Sequence, residues 1–343
     1  LSGELGFERG FEVYDEAGGG AERVLPKASA WLRDFAANEG AKEDPAPFFL
    51  FVHTYEIHDP YTPPKEWQQR FAAGYRGGID STRVEYPLDA AEAWKTDPGF
   101  YDGIQKRFWG GMRATPEDVQ QLSNLYDAGI GYTDSVLAEL WRTVEELDLD
   151  EELLLVVTSD HGEEFNEHGK LTHKTVYQPV LHVPLIVRWP GRVAAGAEVA
   201  APVQGADLAP SLLELAGLSA DPVMQGRSWV PKLQAEDGVP VPVDLVWSEL
   251  GTPDNEEAAL RWGRYKIIGH RAAKTLEVYD LDVDPGEQVD AAGNLVKVTE
   301  VLTERLVEQE AANGALAPGF RTQPVTLGGA AQGMIDALGY TGD

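Results

Sequence analysis

Two runs of five consecutive apolar residues, Phe48–Val52 and Leu153–Val157, each break off at a cluster of polar side chains. A continuous apolar run of this length reads as a strand covered on both faces, the kind found inside α/β sheets. The first ends at His53-Thr54-Tyr55-Glu56-Ile57-His58-Asp59-Pro60-Tyr61, and the second at Ser159-Asp160-His161-Gly162. In open α/β sheets ligands sit beyond the carboxyl ends of the strands, so both polar clusters stand where a site would be expected.

The segments between these runs carry helical spacing. Leu25, Trp31, Leu32 and Phe35 fall on one side of a helix expected over Pro26 to Asn38. Val119, Leu122, Leu125, Tyr126, Ile130, Val136, Leu137, Leu140 and Val144 mark a long helix from Pro116. Thr115 stands at its cap, with Asp118 three residues on. A third strand is expected at Val183–Trp189 and another helix at Asp207–Ala216, stopped by Gly217. The alternation predicts an α/β fold, a mostly parallel sheet flanked by helices. Pro63-Pro64 argue against helix after the first polar cluster, and 65–115 read as an irregular insertion.

After about residue 240 the pattern changes. Val243–Leu250, Ala258–Ile268 and Leu276–Leu281 alternate between turn residues, which predicts a small antiparallel sheet, with a helix over Val296–Ala312. The expected division is therefore 1–240 and 241–343.

Composition excludes several classes. Lys and Arg number 28 against 57 Asp and Glu, a net charge of −29, and a field of that sign repels nucleic acid and anionic membrane surfaces. It repels an anionic ester as well, so any such substrate requires a local positive site made of a metal, histidines or lysines. Cys is absent, which removes disulfides and thiolate ligands. No apolar run approaches the roughly 18 residues of a membrane span.

The chemistry concentrates in two places besides His58. Asp160 and His161, side by side after a buried strand, can both reach one cation, and Gly162 is expected to turn the chain beneath them. The segment Leu171-Thr172-His173-Lys174-Thr175-Val176-Tyr177 adds two potential cations, one of them able to pass a proton near neutrality. Singly, each of these residues is as readily a surface or turn side chain. Their joint occurrence at strand ends is the informative observation.

Taken in order, these segments resemble the sulfatase branch of the alkaline phosphatase superfamily. Phe48 to His53 and His58-Asp59-Pro60-Tyr61-Thr62-Pro63-Pro64 are similar to the family's strand and substrate-contacting histidine. Val156 to Glu163 resembles its second metal-binding stretch, and His182 to Gly191 the strand that follows. Asp207-Leu208-Ala209-Pro210 and Val278-Tyr279-Asp280-Leu281 with Asp284-Pro285-Gly286-Glu287 match later landmarks.

The resemblance implies a hydrolase of a small-molecule or carbohydrate sulfate ester. Asp160 and His161 would be metal ligands, His161 standing where other members have Asn, and His58 would bind the sulfate or its leaving oxygen. The family lysine falls at His173, with Lys174 beside it, and either can take the role. Calcium is the metal implied, with manganese or zinc admitted by the imidazole. The implied nucleophile is a formylglycine, but the chain contains no Cys/Ser-x-Pro-x-Arg motif. That motif and the paired aspartates that complete the metal site are expected upstream of Leu1. Two other readings stay open. One is phosphoryl chemistry on the same fold, as in a phosphodiesterase, phosphonate monoester hydrolase or phosphoglycerol transferase. The other is an inactive fragment or a binding protein.

Overall fold

The computed structural model describes residues 3, 6–16, 19–40, 42, 45–77, 79, 115–233, 244–252 and 255–316. These fall into two units, and the chain passes from the first to the second at Asp150–Glu151. The boundary expected near 240 lies within 234–243, outside the described residues, as do Trp94, Phe108 and Trp109 of the insertion and the tail beyond 316.

The first unit is helical. Helix α1 (Ala21–Glu39) starts five residues before the proline expected to open it, so Pro26 lies inside the helix. The earlier start has a physical cause: the Ala21 amide, one of the orphan donors of the first turn, donates to Glu56 Oε2 at 3.0 Å. Helix α2 (Lys65–Phe71) begins directly after Pro64, so the prolines that argued against helix instead mark its start, and the insertion is not irregular throughout. Helix α3 (Pro116–Glu146) has the expected capping box, the Thr115 hydroxyl accepting from the Asp118 amide while Asp118 accepts from the Thr115 amide. Helices α1 and α2 pack along α3, and Leu25, Ala28 and Leu32 with Leu122, Leu125 and Ala128 are buried.

Phe48–Val52 departs from expectation. It takes part in no ladder among the described residues, and Phe49 and Phe51 are exposed. Phe48 packs on Trp31 and Phe35 of α1, at centroid distances of 5.6 and 5.0 Å. Burial therefore alternates along this run, one side resting on a helix and the other uncovered.

In the second unit, β1 (Leu155–Thr158) pairs antiparallel with β4 (Leu185–Arg188). Every ladder among the described residues is antiparallel, so the parallel pairing expected from the alternation is not among them. Between those strands lie a small hairpin, β2 (Glu164–Phe165) with β3 (Leu171–Thr172), and the one-turn helix α4 (Gln178–Leu181). Helix α5 (Leu208–Leu215) follows a 3₁₀ turn and gives way to Gly217 at φ 75°, and a short α6 (Val230–Leu233) comes after it.

The C-terminal sheet has four strands where the sequence pattern predicts three. The run Ala258–Ile268 is divided by the turn at Gly263-Arg264 into β6 (Asn255–Trp262) and β7 (Tyr265–His270), flanked by β5 (Leu245–Thr252) and β8 (Thr275–Asp280). Side chains alternate across it as a strand requires. Ala258, Leu260, Ile267 and Val278 face Leu302 and Leu306 of helix α7 (Val296–Leu316). Ala259, Ile268 and Tyr279 point the other way, onto Val176 and Leu281.

Candidate active site

Strand β1 ends at Thr158, and the next residues carry the first cluster. The Ser159 hydroxyl donates to the His161 carbonyl at 2.7 Å, and the His161 amide donates to Asp160 Oδ1 at 3.0 Å. This short loop points Asp160 into solvent and leaves its second oxygen, Oδ2, 3.9 Å from His161 Nε2. His161 Nδ1 lies 2.9 Å from the Gly162 carbonyl. A carbonyl only accepts, so Nδ1 carries the proton and Nε2 is the basic nitrogen of the neutral ring.

Gly162 serves a different purpose from the expected turn. A Cβ at this position would lie 2.2 Å from the Pro179 carbonyl oxygen, and the Gly162 amide donates to Val180 O at 2.7 Å. The glycine permits a close backbone approach between the loop and α4.

The β2–β3 hairpin brings in the second cluster. Its register pairs Glu164 with Thr172, and continuing it one residue places Glu163 opposite His173. The turn is made by Asn166 at φ 72° and Gly169 at φ 78°. His173 Nδ1 then lies 3.0 Å from Glu163 Oε1, and the carboxylate is buried. As with His161, the acceptor fixes the proton on Nδ1 in the neutral ring. The two imidazole rings stand 4.2 Å apart, tilted by 30°. Lys174, the next residue, is exposed.

The residues flanking this segment are held from below. Buried Glu164 accepts from Thr175 Oγ1 at 2.8 Å and from the His168 amide at 2.6 Å. The His168 ring stacks on Tyr177 at 3.7 Å. Tyr177 donates its hydroxyl to Glu277 Oε2 at 2.8 Å, and burial, then that carboxylate, push its phenol up so that it stays a donor.

His58 lies in the first unit. Its Nδ1 is 2.7 Å from the Asp59 carbonyl and 3.3 Å from Asp59 Oδ1, and its ring meets Tyr55 edge-on at 5.8 Å. Here too the carbonyl places the proton on Nδ1.

Of the residues expected from sequence, Asp160, His161 and His173 come together, and Lys174 lies adjacent in the chain. Glu163 is not among the residues expected from sequence. Its only signal was the Glu163-Glu164 doublet directly after Asp-His-Gly, and hairpin register is what gives that doublet a partner.

A sulfatase family model matches residues 10–218, and a model of the N-sulphoglucosamine sulphohydrolase C-terminal region matches 166–312. Arylsulfatase K of Mus musculus is 25% identical over 297 residues, covering 82% of this chain and 51% of its own. Choline-sulfatase of Rhizobium meliloti (strain 1021) is 26% identical over 262 residues, covering 75% and 49%. The chain thus spans about half the length of the curated relatives it matches. Among solved structures, a protein in complex with its substrate D-glucosamine-2-N,6-O-disulfate aligns at TM-score 0.66 and 20% identity, over 86% of this chain and 70% of its own. The phosphonate monoester hydrolase of Agrobacterium radiobacter aligns at TM-score 0.63 and 23% identity, over 84% and 60%. At these identities the likeness is one of fold.

Proposed function

Because this chain belongs to the sulfatase family, we propose that it carries the metal side and the leaving-group side of a sulfate-ester hydrolase. The observation that bears most weight is the pair Asp160 Oδ2 and His161 Nε2, 3.9 Å apart, each on a side chain whose other polar atom is already held. Two donors on one divalent ion lie about 3–4 Å apart, given bond lengths of about 2.0–2.4 Å. Outer partners that fix tautomer and orientation are the usual companions of metal ligands. The donor set therefore fits the divalent metal that family membership implies. Calcium is the ion we propose, with manganese or zinc favoured if the imidazole dominates the preference.

When bound, the metal would neutralise charge on the sulfate oxygens. His173, its Nδ1–H on the Glu163 carboxylate, is proposed to hold a second proton at Nε2 for the departing alkoxide, so that the alcohol leaves neutral as its S–O bond breaks and a new S–O bond forms to the nucleophile, the formylglycine hydrate that the family implies. Lys174 would stabilise the same developing charge. No residue of this chain is assigned the attacking role. For His58 the proposal is a hydrogen bond to the ester. The relatives and the solved neighbour point to a sulfated sugar or another small sulfate ester as substrate.

The test is turnover of 4-nitrophenyl sulfate by the protein carrying this chain, beside 4-nitrophenyl phenylphosphonate. Asp160→Asn and His161→Ala are expected to abolish the thermal shift produced by added calcium and to cut sulfate-ester turnover about 100-fold or more. Unchanged turnover in both variants would remove the metal role. Preference for the phosphonate would move the reading to phosphoryl chemistry.

A further inference from the structure

Lys266 projects from β7 toward the sheet face that Val176 covers, because it shares the parity of Ile268 on that strand. Its ammonium is thereby buried, and it lies 2.6 Å from Glu287 Oε1, with the two side chains 1% and 0% exposed. The pair is not closed on itself. Lys266 Nζ donates to the Val176 carbonyl at 2.7 Å, and Glu287 Oε2 accepts from the Gln178 amide at 2.6 Å. The two charges thus hold the peptide groups on either side of Tyr177, the residue that ends the His173–Lys174 segment. A third hold comes from the same loop: His168 Nε2 lies 3.0 Å from the Gly286 carbonyl and 3.1 Å from that of Glu287.

A buried ion pair adds little net stability over an apolar pair of the same volume, since desolvation offsets most of the attraction. What it does supply is direction, because each charge must keep its hydrogen-bond partners. We propose that Lys266 and Glu287 are positioning residues that lock residues 176–178 onto the C-terminal sheet and so hold His173 beside His161. This rests on the proposed sulfate-ester reading for its consequence in turnover, but not for its geometry.

The variants are Lys266→Met, Glu287→Gln, the double Lys266→Met/Glu287→Leu, and Leu302→Ala, which empties the opposite face of the sheet. The first readout is the NOE between the ring protons of His161 and His173 in the 343-residue chain. The second is kcat and KM for 4-nitrophenyl sulfate in the protein carrying it. The ion-pair variants are expected to lose the NOE and to drop kcat about 10–100-fold with KM little changed. The double variant should do so while melting close to the parent, and it remains informative where a single variant fails to fold. Leu302→Ala should melt lower and keep the NOE. Retention of the NOE and of kcat in the double variant, or an equal loss in Leu302→Ala, would overturn the positioning role. Absence of turnover in the parent protein would sink the sulfate-ester reading alone, with the NOE still deciding this one.

Discussion

Oε1 of Glu163 lies 3.0 Å from Nδ1 of His173, across the end of a hairpin whose register puts the two residues opposite each other. The contact settles which imidazole nitrogen carries the proton in the neutral ring and places a buried carboxyl group behind it. Replacing Glu163 by Gln keeps the shape and exchanges the carboxylate that accepts from His173 Nδ1–H for an amide oxygen. Turnover should fall about 10–100-fold, the range for a lost partner of a working imidazole. The pH–rate profile of kcat checks it, and an unchanged profile would detach Glu163 from the chemistry.

Gly162→Ala places a methyl group 2.2 Å from the backbone oxygen of Pro179. Backbone on both sides must move, as with other overpacking changes, so a loss of about 1–3 kcal/mol is expected in urea unfolding. Metal affinity should weaken with it, because the next residue back is His161. A variant as stable as the parent would show that the close approach is not needed.

Glu56 gives the first unit a pH dependence. Burial, then the neighbouring Glu22 charge, raise its carboxyl from 4.5 to about 8, against the opposing Ala21 hydrogen bond. A carboxyl that holds its proton more tightly when folded contributes fully below pH about 4.5, and that contribution is lost as pH rises toward about 8. Stability should therefore decline across this window, by more than about 1 kcal/mol even after solvent screening. Glu56→Gln keeps the acceptor for Ala21 and should flatten the decline, as read from denaturation midpoints at a series of pH values.

Thr115→Ala removes the hydroxyl that accepts from the Asp118 amide at the start of α3. The expected cost is about 1 kcal/mol, within the usual range for a lost N-cap. Circular dichroism during urea unfolding measures it, and no shift in midpoint would mean that the Asp118 half of the box suffices.

Much of this protein was legible in the order of its residues. Periodicity located α3 and its cap, the helix over the C-terminal sheet and the strand before Asp160, because these depend on contacts a few residues apart. The resemblance carried by Asp160-His161-Gly162 and the segments around it identified the family. Other features depended on partners far along the chain. The start of α1 depends on Glu56, 35 positions away, and Pro26 could not reveal it. Phe48–Val52 has the composition of a covered strand, yet its cover on one side is a helix, and composition does not name what lies opposite. Gly162 looked like a turn, whereas its requirement comes from Pro179. Glu163 acquired a role only when a hairpin set it against His173. Lys266 is an ordinary charge in the sequence and Glu287 only the end of a family landmark, and the packing of Val176 over one face of the sheet is what takes them out of water and makes each require the other. Local pattern determined the elements and the family. The charges and tautomers of the site were decided by burial and register, which exist only once distant segments have met.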